Sequence, residues 1–159
     1  MQQHTHFTYY IKMNFVGEYS AKLDDKGRLV FPSAFKSLCA DTLSQGFVVK
    51  KSLFADCLEI FAYSVWERES EAVKAKLNLF NREHDAFWRA YMKNRAMVVP
   101  DEKLGRISIP KALLDSIGVQ KEVVFCGKDF KIELWAKEKV DVDTIEGDDF
   151  VALAEKILG

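Results

Sequence analysis

The clearest pattern along the chain is a short run of alternating apolar positions that occurs twice, each time just before a proline. Residues 29–31 read Leu-Val-Phe before Pro32, and residues 107–109 read Ile-Ser-Ile before Pro110. A period of two is typical of a β-strand, and proline fits the first turn of a helix. The pattern therefore predicts a strand followed by a helix at both places.

Short amphipathic runs follow the two prolines, at Ser33–Leu38 and Lys111–Ile117, and Gly118 is a typical residue for the end of a helix. Four β-rich runs come next, two after each helix: Phe47–Lys50, Cys57–Phe61, Val123–Cys126 and Phe130–Trp135. Each half of the chain is thus predicted to contain a strand, a tight turn, a second strand, a short helix and two more strands. We expect an α+β fold.

A helical connector is predicted between the two halves. Ser64 and Glu67, three residues apart, form a capping box that predicts a helix over residues 65–77. Asn81 can cap a second helix that reaches about Lys93.

Further elements follow from the same kind of pattern. Phe87 and Tyr91 are four residues apart and are expected to share one face of the second helix. Residues 97–99 return to a strand. Asp148 and Asp149 precede an amphipathic pattern that predicts a C-terminal helix. Such a short helix is marginal unless it docks on another surface.

The chain also contains an internal repeat. Residues 23–32 recur at 101–110, displaced by 78 positions, and residues 58–61 recur at 132–135, displaced by 74 positions. The order of the matches is preserved, and the change in offset is small enough for a loop deletion. Two collinear matches indicate a duplicated unit of about 45 residues.

Each copy carries an acid, a glycine and an arginine at the turn before its strand. Glycine supplies the positive φ that a tight turn requires, and the arginine after it projects from the end of a hairpin. Its guanidinium can bind guanine bidentately or contact a phosphate, while a carboxylate four residues earlier can hold it in one rotamer. Lysines in the two turns would attract phosphates. The candidate DNA-binding residues are Asp24, Lys26, Arg28, Glu102, Lys103 and Arg106.

A simpler interpretation fits the same spacing. Asp24–Arg28 and Glu102–Arg106 would then be exposed cross-turn ion pairs, each contributing about 0–1 kcal/mol to stability. The presence of acid, glycine and arginine in both copies favours the DNA-binding interpretation. After a duplication, residues that the fold requires are retained in both copies more readily than a surface ion pair without a function.

Charge is nearly balanced overall but unevenly distributed. The net charge is −1, whereas residues 74–111 hold nine bases and four acids, and residues 141–159 hold six acids and one base. This asymmetry is compatible with a basic face and an acidic tail, and equally with a solvated helix face. Charge alone does not decide the function.

Several classes of protein are disfavoured by the sequence. No apolar stretch approaches the length of a transmembrane helix, and the first dozen residues lack the pattern of a secretory signal, so an intracellular protein is expected. Cys39, Cys57 and Cys126 are far apart and have no histidine at ligand spacing, which predicts no metal site, no disulfide framework and no cofactor. No nucleophile–base pair or phosphate-binding loop is present, so we do not expect an enzyme.

From residue 13 onward the chain resembles the MraZ family of bacterial regulators, which are built from two AbrB-like (swapped-hairpin) units. The resemblance is carried by residues 13–19, 23–32, 102–110 and 130–135. It implies two β-rich units in a pseudo-twofold arrangement that form one double swapped-hairpin barrel, with a helical connector and a C-terminal helix. The implied divisions are a disordered extension (1–12), unit 1 (17–63), the connector (64–94), unit 2 (95–137) and an acidic tail (138–159).

The resemblance also implies a function. The Asp-x-x-x-Arg DNA-contact pattern of the family carries onto Asp24 and Arg28, and in the second unit onto Arg106 with Glu102 as the acid. It implies a cytoplasmic, nucleoid-associated transcriptional regulator that assembles into a ring-like homo-oligomer. Such a regulator would bind double-stranded DNA at repeated promoter boxes of the division and cell-wall operon. The alternative is an antitoxin-like protein-interaction module with the same fold.

Overall fold

Eight strands lie within the residues that the computed structural model describes, 13–142 and 144–159. They are β1 (Glu18–Lys22), β2 (Arg28–Val30), β3 (Phe47–Lys51), β4 (Leu58–Ala62), β5 (Ala96–Val98), β6 (Arg106–Ser108), β7 (Glu122–Lys128) and β8 (Lys131–Ala136). The extension predicted for residues 1–12 lies outside the described residues. Six strands form one antiparallel sheet in the order β1-β7-β8-β4-β3-β5, and β2 pairs with β6 in a two-stranded antiparallel ribbon.

Helices occupy the predicted places with small changes at their ends. They are α1 (Ser33–Leu38), α2 (Tyr63–Ala75), α3 (Arg82–Met92), α4 (Lys111–Ser116) and α5 (Gly147–Leu158), with short 3-10 turns at Leu43–Gln45 and Lys137–Lys139. The predicted α+β class is therefore confirmed. In the described part of the chain β1 and β5 remain the edges of the sheet, so the strand pairing does not close into a barrel.

The strand pairing has the symmetry of a duplication. Exchanging β1–β4 with β5–β8 leaves the strand order of the sheet unchanged. Leu29 pairs with Ile107 at the centre of the ribbon, and Glu59 pairs with Glu133 at the centre of the sheet. These partners are the residues that the sequence repeat aligned, so a pseudo-twofold axis passes between the members of each pair.

The two repeats are interleaved rather than side by side. β1 pairs with β7, β3 with β5 and β4 with β8, while β3·β4 and β7·β8 are pairings within one repeat. A single two-stranded hairpin is marginally stable in water. Each repeat therefore gains additional sheet neighbours from the other repeat.

Aromatic side chains fill the core beneath the ribbon. Phe31 packs against Phe47 and Phe125, with ring centroids 4.8 and 5.8 Å away. Leu29 and Ile107 are buried at 1% and 0% exposure, so the inner face of the ribbon rests on this core. Packing on the core fixes the position of the ribbon, and therefore also the position of the side chains on its exposed face.

The start of the connector differs from the prediction. The capping box of Ser64 and Glu67 is not formed: α2 begins at Tyr63, and Ser64 Oγ is buried without a hydrogen-bond partner among the described residues. β4 runs directly into the helix, and the Tyr63 amide donates to the Gly46 carbonyl (3.1 Å), so tertiary structure sets the boundary. The prediction for Asn81 is confirmed, since its Oδ1 accepts from two amides in the first turn of α3.

A buried ionic cluster attaches the connector to the sheet. Lys50 on β3 is 4% exposed, and its Nζ lies 3.0 Å from Glu69 Oε1 on α2 and 3.6 Å from Glu59 Oε1 on β4. Lys131 Nζ contacts the other oxygen of Glu59 at 2.6 Å. The same ammonium lies 5.3 Å from the centroid of the Tyr91 ring on α3. The cluster therefore joins both connector helices to the sheet.

Candidate nucleic-acid interface

The exposed face of the β2–β6 ribbon carries the two arginines of the repeated motif. Side chains alternate along each strand: Leu29 and Ile107 point into the core, while Arg28 and Arg106 lie on the opposite face. Arg28 pairs in register with Ser108 and Arg106 with Val30. The two arginines are therefore diagonal neighbours on one face, with Cα atoms about 7–8 Å apart.

The first turn is organised by Asp24. Its Oδ1 accepts the backbone amides of Lys26 (2.9 Å) and Arg28 (2.8 Å), and its Oδ2 accepts Arg28 Nε at 2.9 Å. Gly27 has a φ of 76°, the left-handed conformation that the turn requires. The predicted pairing of Asp24 with Arg28 is confirmed.

The second turn is organised by Asp101, so the prediction that Glu102 pairs with Arg106 is wrong. Asp101 Oδ2 accepts Arg106 Nε at 2.6 Å, and Oδ1 accepts the amides of Leu104 (2.9 Å) and Gly105 (3.0 Å). Glu102 is exposed. The reason is that this turn contains one more residue than the first, which moves the orienting carboxylate five residues ahead of its arginine.

Both orienting carboxylates are held in the ionised form. The pKa of Asp24 is lowered by the hydrogen bond from the Arg28 amide and by the Arg28 side chain. The pKa of Asp101 is lowered more strongly, first by the Leu104 amide and then by the Arg106 guanidinium. In each pair the carboxylate binds Nε, and the terminal nitrogens Nη1 and Nη2 make no hydrogen bond within the described residues. The donor pair at the end of each arginine is left for a ligand.

Additional cations surround the two arginines. Lys26 and Lys103 are exposed at the turns, and neither has an ion-pair partner in the part of the chain that the structure describes. The sequence did not indicate Lys36 on α1, whose ammonium lies over the second turn, 2.7 Å from where a Cβ on Gly105 would stand. The interface therefore combines two oriented arginines with at least three lysines.

The chain is similar along most of its length to proteins named "Transcriptional regulator MraZ". It is 36% identical to the one from Christiangramia forsetii over 149 residues, covering 92% of this chain and 94% of that protein. It is 32% identical to the one from Bacteroides thetaiotaomicron over 146 residues, covering 92% and 93%. For the Clostridium acetobutylicum protein the values are 34% over 143 residues, 90% and 96%. The chain belongs to the MraZ family.

The MraZ family model, described as "MraZ protein, putative antitoxin-like", matches residues 94–140. This match contains the second turn, Arg106 and all of β6–β8.

The described residues of this MraZ-family chain give little support for a reactive cysteine, a metal site or a membrane-spanning helix. Burial raises the pKa of Cys39 and Cys126 to about 11 and that of Cys57 to about 12, so these thiols are poorly reactive. The described residues contain no cluster of side chains suited to a metal ion. No helix in the described ranges combines the length and the apolar character needed to cross a membrane.

Proposed function

We propose that this chain is a transcriptional regulator, not an enzyme, and that it binds double-stranded DNA in a sequence-specific way through the exposed face of the β2–β6 ribbon. The relatives described above carry the name of such a regulator. The major groove of B-DNA admits a two-stranded β-ribbon, and arginine bound bidentately to guanine is the commonest specific contact there.

The orientation of the two guanidinium groups is the observation that carries this proposal. Asp24 and Asp101 each bind Nε, so Nη1 and Nη2 of Arg28 and Arg106 are left without a hydrogen-bond partner among the described residues and can act as a pair of donors. Because the ion pair already restricts the arginine rotamer, less side-chain entropy is lost when a base is bound. The carboxylates also repel phosphates, which disfavours contacts that do not depend on sequence.

Assembly makes the near-neutral charge of −1 compatible with DNA binding. We propose a ring-like homo-oligomer that engages repeated short boxes in the promoter of the division and cell-wall operon. The first bound protomer makes later contacts effectively intramolecular. We further propose a cytoplasmic, nucleoid-associated protein whose units, residues 17–63 and 95–137, are two AbrB-like swapped hairpins in a pseudo-twofold arrangement. Residues 64–94 would be the connector and residues 138–159 the acidic tail.

The test is DNA binding by the full chain as a function of salt, with Arg28→Ala and Arg106→Ala. If each arginine reads a base, each change lowers discrimination against a wrong base by about 1–3 kcal/mol. If an arginine contacts phosphate alone, all sequences weaken alike and the salt slope falls by about 1. Arg89→Ala is the matched control, because Arg89 is an exposed arginine on α3, also paired with an aspartate. Unchanged binding in both ribbon variants would show that the pairs stabilise the turns and do nothing more.

An antitoxin-like interaction module is the second candidate. It is favoured by the description of the family model and by α5, which exposes Phe150, Ile157 and Leu158 and carries two acidic residues in its first turn. Absence of sequence-selective DNA binding by the full chain, with or without the two ribbon arginines, would favour this candidate over the ribbon.

A further inference from the structure

The two turns differ in chemistry at one equivalent position. Lys26 precedes Gly27 in the first turn, and Leu104 precedes Gly105 in the second. The backbone amide of each residue donates to Oδ1 of the orienting aspartate, at 2.9 Å in both turns. Lys26 and Leu104 are therefore structural counterparts, although counting from the acid would pair Lys26 with Lys103.

Leu104 lies two residues from Arg106 and outside the hydrophobic core. It is 60% exposed, follows the charged residues Glu102 and Lys103, and is not part of the buried core. A single exposed leucine is ordinary on a protein surface. What distinguishes Leu104 is its place, one residue from Gly105 and two from Arg106, at the exposed end of the ribbon.

We propose that Leu104 contacts the 5-methyl group of a thymine next to the guanine that Arg106 binds. This inference rests on the proposed function. The thymine methyl is the apolar group that base pairs present in the major groove, and apolar side chains recognise it. The second turn then reads a T·A pair beside a G·C pair, whereas the first turn places the Lys26 ammonium there, which binds phosphate.

The second turn does not lose its cation through this exchange, because α1 supplies one. Lys36 Nζ lies over Gly105, and the counterpart glycine in the first turn has nothing within 4 Å of a built Cβ. The Lys36 ammonium has no hydrogen bond or ion pair among the residues that the structure describes, so it is available to a phosphate. Because Lys36 provides the phosphate contact from outside the turn, position 104 does not need a cation, and Leu104 can make an apolar contact.

A consequence concerns the DNA. A twofold protein with identical turns would read a palindromic site. Here the pseudo-twofold ribbon has a lysine at one end and a leucine at the other, so the site read by one chain is asymmetric.

Deoxyuridine substitution tests the contact, because uracil differs from thymine by the methyl group alone. A tightly bound duplex is first selected from a random pool with the wild-type full chain, and each thymine is then replaced singly. We expect one replacement to weaken binding by about fourfold, the value of one buried methyl group. In Leu104→Ala, thymine and uracil at that position bind equally. Leu104→Lys also removes the preference and raises the salt slope by about 1.

Lys26→Ala is the matched control at the counterpart position. It weakens all sequences alike and keeps the difference between thymine and uracil. The proposal is overturned if no thymine is sensitive, or if a sensitive thymine remains so in Leu104→Ala. In either case, selection of a defined sequence that depends on Arg28 and Arg106 leaves the proposed function standing. If no sequence is selected, or if the selected sequence does not depend on these arginines, the proposed function fails as well.

Discussion

Replacing Asp101 by asparagine tests which carboxylate holds Arg106. Asp101 Oδ1 accepts two backbone amides of the turn, and Oδ2 accepts Arg106 Nε at 2.6 Å. Asparagine keeps an oxygen for the amides but replaces Oδ2 by a neutral NH₂ group, which cannot accept from the guanidinium. The substitution therefore removes the ion pair while leaving the fold of the turn in place.

Two opposite effects set the expected magnitude. The released Arg106 side chain must lose its rotamer freedom when it binds a base, which weakens specific binding by about two- to tenfold. Loss of one negative charge strengthens attraction to phosphates in every sequence. We therefore expect the ratio of specific to non-specific affinity to fall by about two- to tenfold, with non-specific binding increased.

The assay is fluorescence anisotropy with the full chain, on the selected duplex and on a scrambled duplex of the same length, at two salt concentrations. Glu102→Gln is the matched control because it makes the same change of charge one residue away. It is expected to raise both affinities alike, and Asp24→Asn is expected to behave as Asp101→Asn does. The reasoning is refuted if Glu102→Gln lowers the specificity ratio as much as Asp101→Asn.

Three further predictions follow from contacts elsewhere in the fold and from the ionised turns. Lys50→Met should lower the free energy of unfolding by about 3 kcal/mol, measured by urea denaturation, because it removes the cation that the buried Glu59 shares with the half-buried Glu69 and leaves Glu59 with Lys131 alone; an unchanged midpoint would contradict this. Asn81→Ala should cost about 1 kcal/mol in the same assay through loss of the cap of α3, whereas Asn14→Ala, at an exposed position outside the helices and strands, serves as a comparison. Because the pKa of Asp101 is lowered in the folded protein, its ion pair persists above the ordinary carboxyl pKa of about 4 and is lost as pH falls through the lower folded value. The binding deficit of Asp101→Asn should therefore be the same at about pH 4 as at about pH 7, and a deficit that falls by about half at pH 4, as an ordinary carboxyl would give, would contradict the assignment.

Local periodicity was sufficient to predict most elements of the fold. The predicted helix Ser33–Leu38 agrees with α1, and the strand predicted at Phe47–Lys50 is one residue shorter than β3. The positive φ of Gly27 and Gly105 and the stacking of Phe87 on Tyr91 (5.8 Å between ring centroids) are confirmed as well. These features depend on interactions a few residues apart, which a sequence displays directly.

The errors arose where a distant contact or a change in turn length decides the structure. Ser64 and Glu67 have the spacing of a capping box, but β4 continues directly into α2, so the helix begins at Tyr63, one residue before Ser64. Aligning the repeats on their glycines placed Glu102 four residues before Arg106, whereas hydrogen bonding selects Asp101. Lys36 was missed because it approaches the second turn from a helix of the other repeat, at a sequence distance that no local pattern reveals.

The position of the pseudo-twofold axis explains which repeated residues diverge. Glu59 pairs with its own counterpart Glu133 on the axis, so a substitution there changes the environment of both copies. Away from the axis, the residue that pairs with each glutamate on the neighbouring strand is Lys50 in one repeat and Cys126 in the other. A substitution away from the axis alters one copy alone. In the first repeat such a position holds Lys50, which attaches the connector to the sheet through Glu69. The same freedom applies to the turns at the ends of the ribbon, because a tandem chain encodes them separately. A symmetric dimer of single units cannot carry two different turns, and the duplicated chain can.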